Sequence, residues 1–168
     1  VAIVMGASTP GGMGAATARR LSLEGAKVVV SGLGDEPLQS LAQEIGGTAF
    51  EADITSKQAN VDLVNFTLAK HGKVDLAVNH VGLATRGPIA EETEEHLLLM
   101  TEVNYFGTYW FIRAVADAMQ GTPAAMASYN AVGEPSRRVS ISMLGCTKIS
   151  ARRKHASRSD SETLPGLM

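Results

Sequence analysis

A glycine-rich loop near the start of the chain is the segment best suited to bind a charged ligand. It contains Gly6, Gly11, Gly12 and Gly14 and follows residues 1–5, an apolar run without alternation that is typical of a strand buried on both faces. Glycine carries no Cβ, so backbone N–H groups at the start of the next helix can approach phosphate oxygens closely. The order of strand, glycine loop and helix predicts a site for the pyrophosphate of a dinucleotide.

The helix that follows this loop is expected to pack on a sheet. Met13, Ala16, Leu21 and Leu23 supply its packed face, and Gly25 is placed to end it. A glycine-rich turn that binds nothing is the alternative for this segment. The strand before the loop and the helix after it favour the binding loop.

Apolar runs and helical patterns alternate along the rest of the chain. Further strands are predicted at residues 27–31, 48–52, 74–78 and 124–128. A long helical stretch covers residues 91–119, with a stripe of large apolar side chains that fits a core or a subunit interface, and one more helix is predicted at residues 140–149. This alternation predicts an α/β fold with a doubly wound parallel sheet, similar to a Rossmann fold. The chain begins without methionine inside the first strand, and we expect a fragment that is truncated after the fifth strand and the last helix.

The composition limits the classes of partner. The 168 residues fit one domain, predicted at residues 1–150, and the polar segment 151–168 is expected to be disordered. With 15 basic and 17 acidic residues the formal charge is −2, which suggests neither nucleic acid nor a membrane as a partner. The single cysteine, Cys146, cannot form an intramolecular disulfide, and the chain has no secretory signal or long apolar span. We therefore expect a cytoplasmic protein.

Four segments match motifs of one family. Their sequences are Met5-Gly6 followed by Gly12-Met13-Gly14, then Ala52-Asp53-Ile54-Thr55, Asn79-His80-Val81-Gly82, and Val103-Asn104-Tyr105-Phe106-Gly107-Thr108. Together they resemble the short-chain dehydrogenase/reductase family, Rossmann-fold enzymes that use NAD or NADP. The resemblance covers residues 1 to about 150. The glycine loop departs from the family pattern T-G-x-x-x-G-x-G by two extra residues, best placed at Thr9-Pro10.

The resemblance implies a set of residues that bind the cofactor. They are Gly6, Ser8, Gly12, Met13, Gly14, Asp53, Ile54, Asn79, Val81, Gly82 and Lys148. The family aspartate matched by Asp53 contacts adenine, although an aspartate there could also cap the next helix. His80 replaces the second asparagine of the family motif, and we expect a hydrogen-bonded structural histidine rather than a base.

The choice between NAD and NADP stays open in the sequence. An acidic side chain at the end of the second strand would bond the ribose 2′-hydroxyl, whereas an arginine would accept the 2′-phosphate. Gly32 stands where the acid usually lies, and Leu33-Gly34 replace the arginine. Asp35 would reach the ribose only if the loop bends back.

The family's chemistry depends on an Asn-Ser-Tyr-Lys tetrad. The tyrosine donates a proton to the substrate carbonyl as hydride arrives, the serine holds the carbonyl oxygen, the lysine binds the nicotinamide ribose, and the asparagine supports a proton-relay water. Asn104 matches the asparagine, and Lys148 matches the lysine of Y-x-x-x-K. Ser128 and Asn130 are the two candidates for the serine position. The tyrosine position is Leu144, which has no ionisable proton.

Two functions follow from this pattern. The first is an NAD(P)-dependent oxidoreductase that acts on a small alcohol or ketone and self-associates through the long helical stretch. The alternative is a non-catalytic dinucleotide-binding module or an inactive fragment, because Leu144 replaces the proton donor.

Overall fold

The computed structural model describes residues 1–84 and 88–119 together with the strand Ser142–Met143. The strands are β1 Ala2–Met5, β2 Val28–Gly32, β3 Thr48–Glu51, β4 Leu76–Asn79 and β5 Ser142–Met143. The α-helices are α1 Met13–Leu23, α2 Asp35–Ile45, α3 Lys57–His71, α4 Glu94–Thr101 and α5 Thr108–Met119. A 3₁₀ turn, Ile89–Glu91, precedes α4, and a π-helical segment, Glu102–Gly107, joins α4 to α5.

The five strands form one parallel sheet in the order β3-β2-β1-β4-β5. In the central strand, Ile3 is in register with Val29 of β2 on one side and with Ala77 of β4 on the other. The chain runs outward from β1 to β3 and then returns to the other side of β1. The predicted α/β fold with a doubly wound parallel sheet is confirmed, and the switch point lies where the carboxyl ends of β1 and β4 meet.

Both faces of the sheet are covered. On one face, Ile3 and Met5 of β1 pack with Leu63 of α3 and Phe111 of α5. On the other face, Val4 packs with residues of α1 and α2, namely Ala15, Ala18, Leu38 and Leu41. Successive residues of β1 therefore face opposite cores, which explains why its sequence is apolar without alternation.

The packed face of α1 is not the one expected from its large side chains. Met13 and Leu23 are 64% and 82% exposed, whereas Gly14, Ala15 and Ala18 are buried against the sheet. Small residues on this face let the helix axis approach the sheet closely. The helix ends at Leu23, and Gly25 follows with φ +84°, as the sequence predicted.

The long helical stretch predicted at residues 91–119 is divided into three parts. It begins at Glu94, where the Thr93 hydroxyl caps α4 by accepting from the His96 N–H. A π-helical segment then leads directly into α5. Insertions of this kind occur often at functional sites, and this one contains Asn104.

The strand beside β4 is not the predicted fifth strand. Ser142 pairs with Val78 and Met143 with Asn79, so the helix predicted at residues 140–149 is wrong at these two positions. In the sequence, Val139 and Ile141 come just before this strand, and branched residues of this kind are enriched in strands. Three predicted segments lie outside the described residues, namely the strand 124–128, the rest of the helix 140–149 and the tail 151–168.

Among the residues that the structure describes, no helix is both long enough and apolar enough to cross a membrane.

Candidate functional site

The predicted cofactor residues that the structure describes lie along the carboxyl edge of the sheet. The loop Gly6–Gly12 follows β1, Asp53 and Ile54 follow β3, and Val81 and Gly82 follow Asn79 at the end of β4. In open parallel sheets, ligands bind outside this edge at the switch point. The fold therefore brings together segments that are more than 70 residues apart in the sequence.

Close backbone contacts fix the glycine loop at the switch point. A Cβ on Gly14 would overlap the Gly6 carbonyl oxygen, and a Cβ on Gly6 would lie 2.8 Å from the Val81 nitrogen. The loop thus packs directly on both the start of α1 and the segment after β4. Glycine is required at these two positions by close packing, before any ligand is considered.

The two extra residues of the loop are held by α1. The Thr9 carbonyl accepts from the Gly12 N–H at 2.9 Å, and the Pro10 carbonyl accepts from the Arg19 guanidinium at 2.9 Å. Arg19 also forms a two-point ion pair with Glu44 of α2, and this pair lowers the pKa of the Glu44 carboxyl. The insertion is therefore a defined turn anchored to the helix that it precedes.

The first turn of α1 has no internal partner for its N–H groups. Its N-cap residue is Gly12, which has no side chain to accept from them, and the turn contains no acidic residue. By contrast, α3 and α4 are capped by Ser56 and Thr93, and α2 has acidic residues in its first turn. Within the described residues, no group accepts from the N–H of Met13 or Gly14. The positive end of α1 is thus available to an anion.

Ser8 provides a second free group in the same loop. Its Oγ is buried from solvent and has no hydrogen-bond partner in the described part of the chain. Buried hydroxyl groups are rarely left without partners. A ligand lying over the loop would supply one.

The end of β4 is fixed by an asparagine. The Asn79 Oδ1 accepts from the Val81 N–H at 2.8 Å, and its Nδ2 donates to the Thr108 hydroxyl at 3.1 Å. The His80 N–H donates to the Met5 carbonyl at 2.9 Å, which extends the β1–β4 pairing. Asn79 is buried, and both ends of its side-chain amide are bonded within the chain.

The predicted catalytic asparagine holds the next stretch of backbone. The Asn104 Oδ1 accepts from the Leu83 N–H at 2.8 Å, and its Nδ2 donates to the Leu83 carbonyl at 2.6 Å. Asn104 is itself exposed, and its Oδ1 would be 3.6 Å from a Cβ on Gly82. This side chain fixes the backbone that follows β4.

Asp53 does not cap α3. Its Oδ1 accepts from both the N–H and the hydroxyl of Thr55, at 2.9 and 2.8 Å, while the cap is Ser56, whose Oγ accepts from the Ala59 N–H. This is an Asx turn, which leaves the Asp53 carboxylate exposed at the carboxyl edge. The neighbouring Ile54 is buried.

Two polar residues that the sequence reasoning did not single out complete this edge. Asn60 of α3 is fully buried, and its Nδ2 donates to the carbonyls of Ile54 and Ser56, both at 2.8 Å. Glu51, the last residue of β3, accepts from the Gly34 N–H at 2.7 Å through Oε1. Neither lies in a recognised motif, and only strand register and helix packing place them here.

His80 links the two strands of the switch point to α1. Its Nε2 lies 2.9 Å from the Thr17 hydroxyl, as expected of a structural histidine, and its Nδ1 is buried without a partner in the described residues. Burial lowers the pKa of His80 below its usual value. The ring is therefore neutral at pH 7.

The remaining predicted site residues lie outside the described residues. They are Ser128, Asn130, Leu144 and Lys148. In the sequence, Leu144 directly follows β5, whose Met143 is opposite Asn79. No cluster of three or more potential metal-binding side chains occurs in the part of the chain that the structure describes.

Comparisons with known proteins agree with this architecture. A family model described as enoyl-(acyl carrier protein) reductase matches residues 6–149. The (S)-acetoin-forming diacetyl reductase of Staphylococcus epidermidis is 31% identical over 121 residues, which cover 69% of this chain and 46% of that enzyme. The chain belongs to the short-chain dehydrogenase/reductase family, whose members use NAD or NADP.

Two solved structures share the fold. An actinorhodin polyketide ketoreductase with NADPH is 31% identical with a TM-score of 0.65, over 70% of this chain and 46% of that one. A metagenomic short-chain oxidoreductase in complex with NADP is 35% identical with a TM-score of 0.62, over 70% of this chain and 55% of that one. The chain thus spans about half the length of these relatives.

Proposed function

We propose that this chain binds NAD(H) or NADP(H) across the carboxyl edge of its sheet, as the dinucleotide-binding part of an oxidoreductase that interconverts an alcohol and a ketone. The observation that carries the proposal is the uncapped start of α1, located at the switch point beside the glycine loop. The family membership and the names of the related reductases support the reaction class.

The described residues fit the phosphates of such a cofactor. The N–H groups of Met13 and Gly14 and the Ser8 hydroxyl provide donors without protein partners, at the positive end of a helix. Asp53 would lie toward the adenine, and Val81 and Gly82 toward the nicotinamide half. When bound, a nicotinamide dinucleotide supplies or accepts a hydride.

The chain's own residues would orient the reactants. Asn79 bonds the Val81 N–H, and Asn104 bonds both backbone groups of Leu83, so the backbone after β4 is held in place before a ligand binds. By resemblance, Lys148 would bind the nicotinamide ribose, and Ser128 or Asn130 would hold the carbonyl oxygen. A small diketone such as diacetyl is the first substrate to test, given the activity named for the Staphylococcus relative.

A second function is favoured by one residue. Leu144 occupies the position of the family's proton donor and has no proton to give. The chain would then bind a dinucleotide without turning over a ketone. Both functions require the same cofactor site, and they differ only in the chemical step.

Thermal unfolding of the 168-residue chain with and without NADH and NADPH tests the cofactor site. Ligand at 100 times its Kd stabilises the native state by about 2.7 kcal/mol, which raises the midpoint by roughly 5–10 °C. Gly12→Val should lower the affinity at least about tenfold, because even its Cβ would lie 3.1 Å from Thr9 and the side chain would crowd the start of α1.

Ala16→Val is the matched control, since Ala16 is exposed one turn further along the same helix. This variant should retain the ligand-induced shift. An equal shift for the parent and the Gly12→Val variant would place the site elsewhere. No shift with either dinucleotide would refute the proposed function.

A further inference from the structure

A side chain at the end of β2 would require the Ser8 hydroxyl to move. A Cβ on Gly32 would lie 2.5 Å from the Ser8 Oγ, and Gly32 has φ +154°. The glycine loop therefore closes over the position from which an acidic or basic residue distinguishes NAD from NADP in other Rossmann folds. Gly32 itself supplies no charge at this position.

Glu51 supplies a carboxylate at this place. It is the last residue of β3, directly opposite Gly32 in the parallel register. Its Oε1 accepts from the Gly34 N–H at 2.7 Å, which fixes the carboxylate beside the β2–α2 turn. In the described part of the chain no group bonds its Oε2, and the residue is exposed. An acceptor thus faces the solvent next to the glycine loop.

The surrounding charges have the same sign. Asp35 and Glu36 form the first turn of α2, and the Asp35 carboxylate accepts from Gln39 on its own helix. Residues 28–56 contain no lysine or arginine. A 2′-phosphate at this turn would meet carboxylates and no cation from the segment, whereas a 2′-hydroxyl could donate to Glu51.

We propose that Glu51 is the residue that selects NAD(H) over NADP(H) in this chain, by accepting a hydrogen bond from the ribose 2′-hydroxyl and repelling a 2′-phosphate. This inference rests on the proposed function. A preference for NAD(H) would distinguish the chain from the two solved relatives described above, whose structures contain NADPH and NADP.

Calorimetric titration of the full chain with NADH and with NADPH tests the proposal. The parent should bind NADH at least about tenfold more tightly. Glu51→Gln keeps an oxygen for the Gly34 N–H but removes the charge, so it should reduce the preference to about threefold or less. Glu51→Lys should favour NADPH.

The control variant is Glu24→Gln, which removes the same charge from the C-terminal end of α1, at the opposite edge of the sheet. It should leave the preference unchanged, and circular dichroism checks that each variant is folded. A parent that prefers NADPH, or a Glu51→Gln variant with an unchanged preference, would overturn the assignment of Glu51. Absence of binding by both dinucleotides would instead refute the proposed function, and the inference with it.

Discussion

Individual side chains at the carboxyl edge act mainly by fixing backbone. Asn79 and Asn104 each bond a main-chain group of the segment that follows β4, and Asp53 bonds its own turn. Backbone that is held this way needs little reorganisation when a ligand binds. The chemical step is a separate matter, because it requires a proton donor in addition to a preformed site.

By resemblance, Leu144 occupies the position of the family's catalytic tyrosine, so we expect the chemical step to depend on it. Carbonyl reduction needs a proton as well as a hydride, and a positioned general acid contributes about 10²–10⁴-fold in rate, or roughly 3–5 kcal/mol. We expect the chain to reduce ketones little or not at all while still binding the cofactor. Leu144→Tyr, alone or with Asn130→Ser, should restore ketone-dependent oxidation of NAD(P)H.

Lys148→Ala is the control for this experiment. Ketone-dependent oxidation by the unmodified chain, above the rate of the Lys148→Ala variant, would show that another proton donor exists. It would also show that the interpretation of Leu144 is wrong.

At the scale of elements, the helical stretch α4–α5 exposes an unusual amount of apolar surface. The exposed large side chains here are Leu97, Leu98, Leu99, Tyr105, Phe106 and Tyr109. Such surfaces commonly mark contacts between subunits. The sequence had predicted self-association from this stretch, and the exposed positions specify which residues to change.

Sedimentation at micromolar concentration tests whether the chain self-associates through this surface. The parent should form a dimer or larger oligomer, and Leu98→Glu with Tyr105→Glu should convert it to monomer, since charge at a buried apolar contact is costly. Leu23→Glu is the control, because Leu23 is also a large exposed apolar residue but lies on α1. A parent that sediments only as monomer would contradict the prediction.

For the molecule as a whole, two partly buried histidines make stability depend on pH. Burial lowers the pKa of His80, and burial together with the positive charges of Lys27, Lys70 and the N-terminus lowers that of His71. Between these lowered values and the ordinary value near 6.5, the unfolded chain binds more protons than the native one. The free energy of unfolding should therefore be highest above pH 6.5 and decrease as the pH falls below it.

Urea unfolding between pH 7.5 and 5 measures this dependence. His80→Gln and His71→Gln should each reduce the loss of unfolding free energy at low pH. The double variant should show the smallest loss. The carboxyls of Glu44 and Asp75 have lowered pKa values, so their contribution to stability is lost only at more acidic pH. A slope that is the same in the parent and the double variant would show that neither histidine is responsible.

Local patterns determined a large part of this structure. Residues 1–5 and Gly25 indicated a strand and a helix end correctly, because each signal depends on neighbours within a few residues. The motif after β4 was also recognisable from its own four residues. Such signals identify the helices and strands and show that the loops resemble those of a known family. They do not show how closely the helices and strands approach one another.

Tertiary packing decided what local patterns could not. Gly14, Ala15 and Ala18 of α1, rather than Met13 and Leu23, face the sheet, and the loop at Gly6 leaves no room for a side chain at Gly14. The strand beside β4 proved to be Ser142–Met143, since pairing across a sheet depends on distant residues. The same holds for Glu51, because only the register of β3 against β2 places its carboxylate beside the β2–α2 turn.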